Sequence, residues 1–457
     1  MLEHSFFPIT TPQKPNTPYG KKGTSSLAAQ LAAAIPENEF TPDPNTRYGE
    51  IWMGDHPSNP SSLILDDGSK VPLWKLSSED PKRYLGAEVL KKFGDTPSGF
   101  EENKEGGEPL KHLPFLFKVL SFDRALPLQI HPNRVLVDHN YKPEVAVCIS
   151  EKFDGFIGFR PLLEIQRFLG LVTELVSAIG DDEVVKEILG LQLEDPSALG
   201  ADDERKLLKR LFSGIMWRKD EVIAEQCQKL ATRLDEHGDG AVVGDKYMAL
   251  GRVIRKCLKD YPNDKAVFVG FLMNLVSLKY GEGVVVGVDE IHAYIEGDII
   301  ECMAWGDNML AHGFQPPEER SSAKVLISSV AFHTHSNPDL SRIPPSLVLP
   351  SSPWEWSKEG KTTHYLVPLE EFELIHVVLN HKGDFEETTP FPRPINGPLI
   401  LIVVRGAAEI RLRDGGESMV MERGRAVFVR PDVVWRITAT AQDGADIWGA
   451  FHDESGV

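Results

Sequence analysis

The spacing of apolar positions along this chain changes period twice. Up to about residue 160 the apolar runs are short and alternate, as strands do. LPFLFKVLSF (113–122) reads as a buried strand, and SSLAAQLAAAI (25–35) reads as a short helix with a Ser cap. PQKPNTPYGKKGTSS before it is turn-rich, and 94–111 is a polar, Gly-rich loop. From Pro161 the period becomes helical. Leu162, Ile165, Phe168, Leu169, Val172, Leu175, Val176 and Ile179 form one stripe that Gly180 stops. Leu207, Leu208, Leu211, Phe212 and Ile215 predict a second helix. Val222, Ile223, Cys227, Leu230 and Leu234 predict a third, and Phe268, Phe271, Leu272, Leu275 and Leu278 a last one. Strand character returns at GVVVGVDEIHAYIEGDIIECMAW. SNPDLSRIPPSLVLPSSPWEW (336–356) reads as a linker, and short strands follow to the end. Asp414-Gly415 is a hairpin signal, and the strand spacing suits a small antiparallel barrel or jelly roll. The expected organisation is therefore a strand-rich unit, 1–160 with 281–335, interrupted by a helical insert, 161–280. The linker then leads to a β-barrel at 357–457.

Candidate chemistry lies on the strands. Gln129 and His131 alternate, so a strand turns both to one face. Glu144 stands on the next apolar run and His292 on the strand after the insert. Two imidazoles, a carboxylate and an amide oxygen suit a divalent ion such as zinc and leave room for water or substrate. A Q-x-H alone is more often a hydrogen-bonded core pair than a pair of ligands. Barrel interiors collect inward-facing residues, which gives these four a way to meet.

Composition narrows the partners. The chain has 457 residues, 41% hydrophobic and 26% charged, as in a soluble protein of two or three domains. A net charge of −19 disfavours nucleic acid and anionic membranes and requires locally placed Lys or Arg for any phosphorylated substrate. Cys148, Cys227, Cys257 and Cys302 form no C-x-x-C pair, and buried free thiols are expected. The N-terminal stretch lacks a signal-peptide pattern and no apolar window is long enough to span a membrane, so a cytoplasmic setting is expected. GKKGTSS lacks the spacing of a phosphate loop.

The wording around these residues resembles the type I phosphomannose isomerases, a cupin enzyme family, over nearly the whole chain. GKKGTSSLAAQLAAA, RYGEIWMGDHPSNPS, LPFLFKVLS, LQIHPN, NYKPEVAV, GFIGFRP and HAYIEGDIIECMAWGDN each match a stretch of the family's pattern. The resemblance implies a mainly β fold of cupin-type antiparallel barrels with an inserted all-α domain. It implies zinc held by Gln129, His131, Glu144 and His292. Lys118 and Lys142 match its active-site lysines, and Tyr294, Glu301 and Asp307 match polar residues near the metal. Glu301, Tyr294 and Lys142 are the expected catalytic residues, and Lys118 and Asp307 the expected substrate contacts. The implied reaction interconverts mannose 6-phosphate and fructose 6-phosphate in a monomer and supplies GDP-mannose and glycosylation.

The chain departs from that pattern near the same residues. Ala311 occupies the position of the family's catalytic Arg, Pro317 that of a lysine, Pro127 that of a serine, and Ile291 that of a proline. The segment between His131 and Glu144 is shorter. An Arg acting in the transition state is worth on the order of 10- to 1,000-fold in rate. Two alternatives therefore stand beside the isomerase: a metal-binding paralogue of weak or no activity, and a cupin isomerase acting on another sugar. His312, Arg320 and Lys324 are the nearby cations that could replace the missing charge.

Overall fold

The computed structural model describes residues 4–14, 16–93, 112–132, 142–193, 199–306, 308–336, 343–355, 357, 360–386 and 394–453. The expected loop at 94–111 and the expected substrate contact Asp307 lie outside these residues.

Among the described residues, two large antiparallel sheets form the β part. One, of nine strands, runs in the order Met273–Leu278, Phe153–Phe159, His292–Ala304, Phe115–Phe122 and Glu50–Met53. Glu144–Cys148 joins it beside His292–Ala304 and Gly283–Val286, and Gln129–Ile130 joins it beside His292 and Leu310–Ala311. The other sheet has twelve strands and contains those between Ser351 and Phe451. It also takes in Phe6–Ile9, which pairs with Ala426–Val429, and the Ser62–Ile64 and Lys70–Pro72 strands. These early strands thus belong to the sheet of the C-terminal part, although the pattern groups 1–160 together. Local alternation cannot say which of two sheets a short strand joins.

The strand Phe115–Phe122 shows why the sheets hold together. All eight of its residues are buried. Phe115, Phe117 and Val119 share one apolar cluster with Ile400, Phe428 and Trp448 of the other sheet. Leu116, Leu120 and Phe122 turn the opposite way. Lys118 has the parity of Leu116 and Leu120, so it faces the interior of the nine-stranded sheet.

The helical insert contains Leu162–Leu171, Thr173–Ile179, Asp182–Leu189, Ala201–Trp217, Asp220–His237, Asp239–Val243 and Met248–Asp260. Its apolar faces merge into one cluster with Phe156, Phe159, Ile291, Ala293 and Ile295 of the sheet, so it packs directly on the strand that carries His292. Ser26 caps Leu27–Ala33 by accepting from the Ala29 amide, as expected. The stripe from Leu162 to Ile179 is two helices, broken at Val172, where φ and ψ are −111° and 88°. Gly180, at φ 64°, terminates the second. Met248–Asp260 was not expected as a helix, although Leu250, Val253, Ile254, Cys257 and Leu258 have the helical spacing.

The expected last helix is corrected. Only Ala266–Val269 is helical, and Met273–Leu278 is a strand paired with Phe153–Phe159. Asn274, Val276 and Leu278 alternate inward, and this period of two coincides with the helical spacing at several apolar positions. The free edge of Phe153–Phe159 decides the ambiguity by offering a ladder. The four cysteines are buried and free, as expected. Among the described residues no helix is long and apolar enough to cross a membrane.

Candidate metal centre

The sheet brings Gln129, His131, Glu144 and His292 together in its buried interior. Gln129 lies opposite His292 in the ladder. Glu144 opens its strand opposite Met303 and Val286. His131 Nε2 is 3.1 Å from Glu144 Oε2, and His292 Nε2 is 3.4 Å from Glu144 Oε1. The Gln129 amide lies 3.1 Å from His292 Nε2. It is placed there with its nitrogen inward, and a flip of the amide turns the oxygen to the same point. Both rings are held from behind. His131 Nδ1 is 3.3 Å from the Asn308 carbonyl and His292 Nδ1 is 3.0 Å from the Glu290 carbonyl. Donation from each Nδ1–H leaves each Nε2 with its lone pair aimed at Glu144, the tautomer a metal needs.

A divalent cation fits this set. His131 Nε2 and Glu144 Oε2 are buried without a well-formed hydrogen-bond partner among the described residues. The donor atoms of His131, Glu144 and His292 all lie within 4.8 Å of one another. Burial, together with Lys142, depresses the His131 pKa to about 3, so the ring is neutral at pH 7. Burial pushes the Glu144 pKa up, but Lys142 and the two imidazoles outweigh it and hold the carboxyl well below its ordinary value. With His131 neutral, the Lys142 ammonium is the chief stabiliser of that carboxylate, 3.4 Å from Oε2. The Tyr294 hydroxyl donates to Glu144 Oε1 at 2.8 Å.

Beside the donor set lies a buried ion pair. Lys118 and Glu301 are directly opposite in the ladder, and Lys118 Nζ donates to Glu301 Oε1 at 2.9 Å. Burial and the nearby Glu144 raise the Glu301 pKa against the pull of Lys118 and Lys142. Lys118 pays a desolvation penalty, yet Glu301 and Glu50 keep it charged. Trp52, the next residue in the row, places its ring 4.9 Å below the Lys118 ammonium, and Lys14 sits 4.0 Å from the same ring. Trp52 Nε1 donates to Glu50 Oε2 at 2.6 Å, and the Tyr19 hydroxyl donates to Glu50 Oε1. Glu50, Trp52, Tyr19 and Lys14 were not singled out from the sequence. A carboxylate inside the wholly buried run EIWM was the signal available.

His292 and Tyr294 have one parity along their strand and Glu301 the other. A bulge reconciles them: Asp154 opposes Glu296 while Gly155 opposes Tyr294, which leaves Ile295 extra. The extra residue brings both ends of the long strand to the same interior.

The departures from the family pattern also have places. Ala311 is buried and lies opposite Gln129, on the flank away from His292. Pro127 is partly buried just before Gln129, and Pro317 begins an exposed 3-10 turn. Arg320 is committed to Asp264 at 3.0 Å, and His312 Nδ1 is 2.8 Å from the Ser321 carbonyl. Neither supplies the missing charge in this arrangement. Lys324 is exposed on a helix.

Fold and site together define a cupin-type β protein with a buried His, His, Glu and Gln centre and a helical insertion. Residues 9–162 match the family described as phosphomannose isomerase type I, catalytic domain, and residues 180–273 match its helical insertion domain. The chain belongs to the type I phosphomannose isomerase family. The mannose-6-phosphate isomerase of Candida albicans is 32% identical over 441 residues, covering 93% of each chain. That of Schizosaccharomyces pombe is 33% identical over 439 residues, covering 93% of this chain and 94% of its own. The same fold is seen in the mannose 6-phosphate isomerase from Salmonella typhimurium bound to fructose 6-phosphate and zinc, at a TM-score of 0.70 and 20% identity. The match covers 98% of this chain and 100% of that one. A zinc-bound mannose 6-phosphate isomerase gives 0.71 at 20% identity, with the same coverage.

Proposed function

We propose that this protein interconverts mannose 6-phosphate and fructose 6-phosphate, using zinc held by Gln129, His131, Glu144 and His292. One observation carries the reading. In a chain of this family, a buried donor set with unsatisfied lone pairs shares its interior with the Lys118–Glu301 pair. A bound divalent ion supplies Lewis acidity for the oxyanion that develops as the carbonyl is enolised.

The chain's own residues do the rest. Moving a proton between C1 and C2 through an enediolate requires a base whose pKa lies nearer neutrality than that of an ordinary carboxylate. Glu301 fits, because burial and Glu144 raise its pKa while Lys118 fixes its orientation. Lys142 and Tyr294 hold the Glu144 carboxylate by both oxygens, so it stays ionised and in place. Lys118, Lys142 and Lys14 set three cations among Glu50, Glu144 and Glu301, which favours an anionic sugar. Asp307, the cytoplasmic setting, the monomeric state and the supply of GDP-mannose for glycosylation belong to the same proposal. So does the division into a metal-binding unit, a helical insert and a C-terminal barrel.

Ala311 favours a second reading, a family member that binds metal but turns over weakly or not at all. The two readings separate in one experiment. Fructose 6-phosphate is added to chelator-stripped and zinc-restored protein, and mannose 6-phosphate is followed by NMR. Product formed only after zinc is restored supports the isomerase. No product in either sample supports the second reading.

A further inference from the structure

A second cluster of metal-binding side chains lies outside the centre already described. Glu290 comes from the turn before His292, and His333 and His335 come from the segment after the Ala323–Ser329 helix. Both imidazole Nε2 atoms converge on one carboxylate oxygen. Glu290 Oε2 is 3.0 Å from His333 Nε2 and 2.8 Å from His335 Nε2. The three ligand atoms lie within 4.8 Å of one another. We propose that Glu290, His333 and His335 form a second binding site for a borderline transition-metal cation such as zinc, with its remaining coordination position open to solvent.

Three features distinguish the cluster from an ordinary ion pair. First, the other carboxylate oxygen, Glu290 Oε1, is buried with no hydrogen-bond partner among the described residues. A buried carboxylate oxygen left without a partner beside two imidazole nitrogens has a lone pair that a cation can use. Second, His335 is oriented from behind: its Nδ1 is 2.8 Å from Ser346 Oγ, and its main-chain amide donates to the Phe159 carbonyl. Ser346 Oγ can accept from Nδ1–H, and in that tautomer the Nε2 lone pair faces the carboxylate and is available to a cation. Third, the fold keeps space beside these atoms. Gly158 has φ 61°, and a Cβ there would stand 2.7 Å from Glu290 Oε1 and 2.4 Å from His335 Cδ2.

The geometry suits a three-ligand site. Tetrahedral zinc with bonds near 2.0–2.1 Å separates its ligand atoms by about 3.3 Å, so the two imidazoles need spread from the carboxylate by only a few tenths of an ångström. Glu290 and His335 are buried, while the His333 side chain is 48% exposed and opens the site outward. The open position is what distinguishes such a site from a closed structural one. A nitrogen-rich donor set favours zinc, nickel, cobalt or copper over magnesium or calcium. The Glu290 carbonyl accepts from His292 Nδ1, so one residue serves both clusters with different atoms.

Metal counting tests the site independently of catalysis. The metal-free full chain is titrated with zinc chloride alone, and bound metal is counted by atomic emission after gel filtration. Wild type is expected to retain two equivalents, and the exposed single variant His333→Ala, and separately His335→Ala, to retain one. His131→Ala, which damages the other centre, should also retain one, and anomalous diffraction at the zinc edge should place it between Glu290 and the two histidines. A wild-type count of one, or an undiminished count in a folded His333→Ala protein, overturns the proposal. Circular dichroism of each variant excludes loss of metal through unfolding.

Discussion

Ala311 lies directly opposite Gln129 in the antiparallel ladder, and Gln129 is opposite His292 on its other flank. Opposed residues in such a ladder point to the same face. Position 311 therefore borders the donor set with a methyl group in place of the family's Arg. Ala311→Arg is expected to raise kcat/KM for mannose 6-phosphate. A charge-assisted hydrogen bond contributes about 1.5–3 kcal/mol, roughly 10- to 150-fold. The same change overfills a buried position and should lower stability by about 1–3 kcal/mol. Steady-state kinetics and thermal melts of the variant measure the two effects separately.

Glu301→Gln keeps an oxygen for Lys118 but removes the base. Turnover should fall on the order of 100- to 10,000-fold, with zinc content and KM little changed. Equal activity in the variant would move the proton transfer to another group. Lys118→Met should instead cost stability, about 3–5 kcal/mol, because it leaves Glu301 buried without its counter-ion.

Metal removal should be felt in the melt as well as in the assay. A ligand that binds only the folded chain adds about 2.7 kcal/mol at a free concentration one hundred times its dissociation constant. The stripped protein should therefore melt lower, and re-added zinc should restore the midpoint. His292→Ala, which removes a ligand, should blunt the response.

The insert is tied to the sheet by a charge cluster with its own pH dependence. Asp154, fully buried, is 2.5 Å from both Lys152 and Arg252, the latter on the Met248–Asp260 helix, and 2.5 Å from Ser277 Oγ. Burial raises the Asp154 pKa, but these three partners together draw it below the usual 3.8. A depressed folded pKa means the unfolded chain binds the proton more readily. The stabilisation is therefore complete above about pH 5 and fades as pH falls through the unfolded and then the lower, folded value. Lys152 and Arg252 are each nearly half-exposed and can turn to water, so Asp154→Asn should cost only about 1–3 kcal/mol. Urea midpoints from pH 3 to 7 should converge for wild type and variant at the acid end.

The legible parts of this protein were those that local pattern determines. Leu207–Ile215 and Val222–Leu234 are helices because their stripes have no competing period. Gln129, His131, Glu144 and His292 are each a weak signal alone; the family-like wording around them joined them as a set, and the fold brings their side chains into one buried interior. Pairing decided what was missed. Met273–Leu278 is a strand because Phe153–Phe159 offers an edge, and Phe6–Ile9 crosses to the other sheet to meet Ala426–Val429. The bulge at Ile295, which turns both His292 and Glu301 inward, leaves no mark in the residue pattern. Glu50 and Trp52 were overlooked because their importance lies in contacts with Lys118, a residue distant in sequence.

The most direct test of the central claim is a coupled assay of mannose 6-phosphate conversion by the zinc-loaded protein, with Glu301→Gln and Ala311→Arg run beside it. The account predicts measurable wild-type turnover, loss in Glu301→Gln and gain in Ala311→Arg. Zinc-loaded protein that converts no mannose 6-phosphate, either as wild type or as Ala311→Arg, would contradict it.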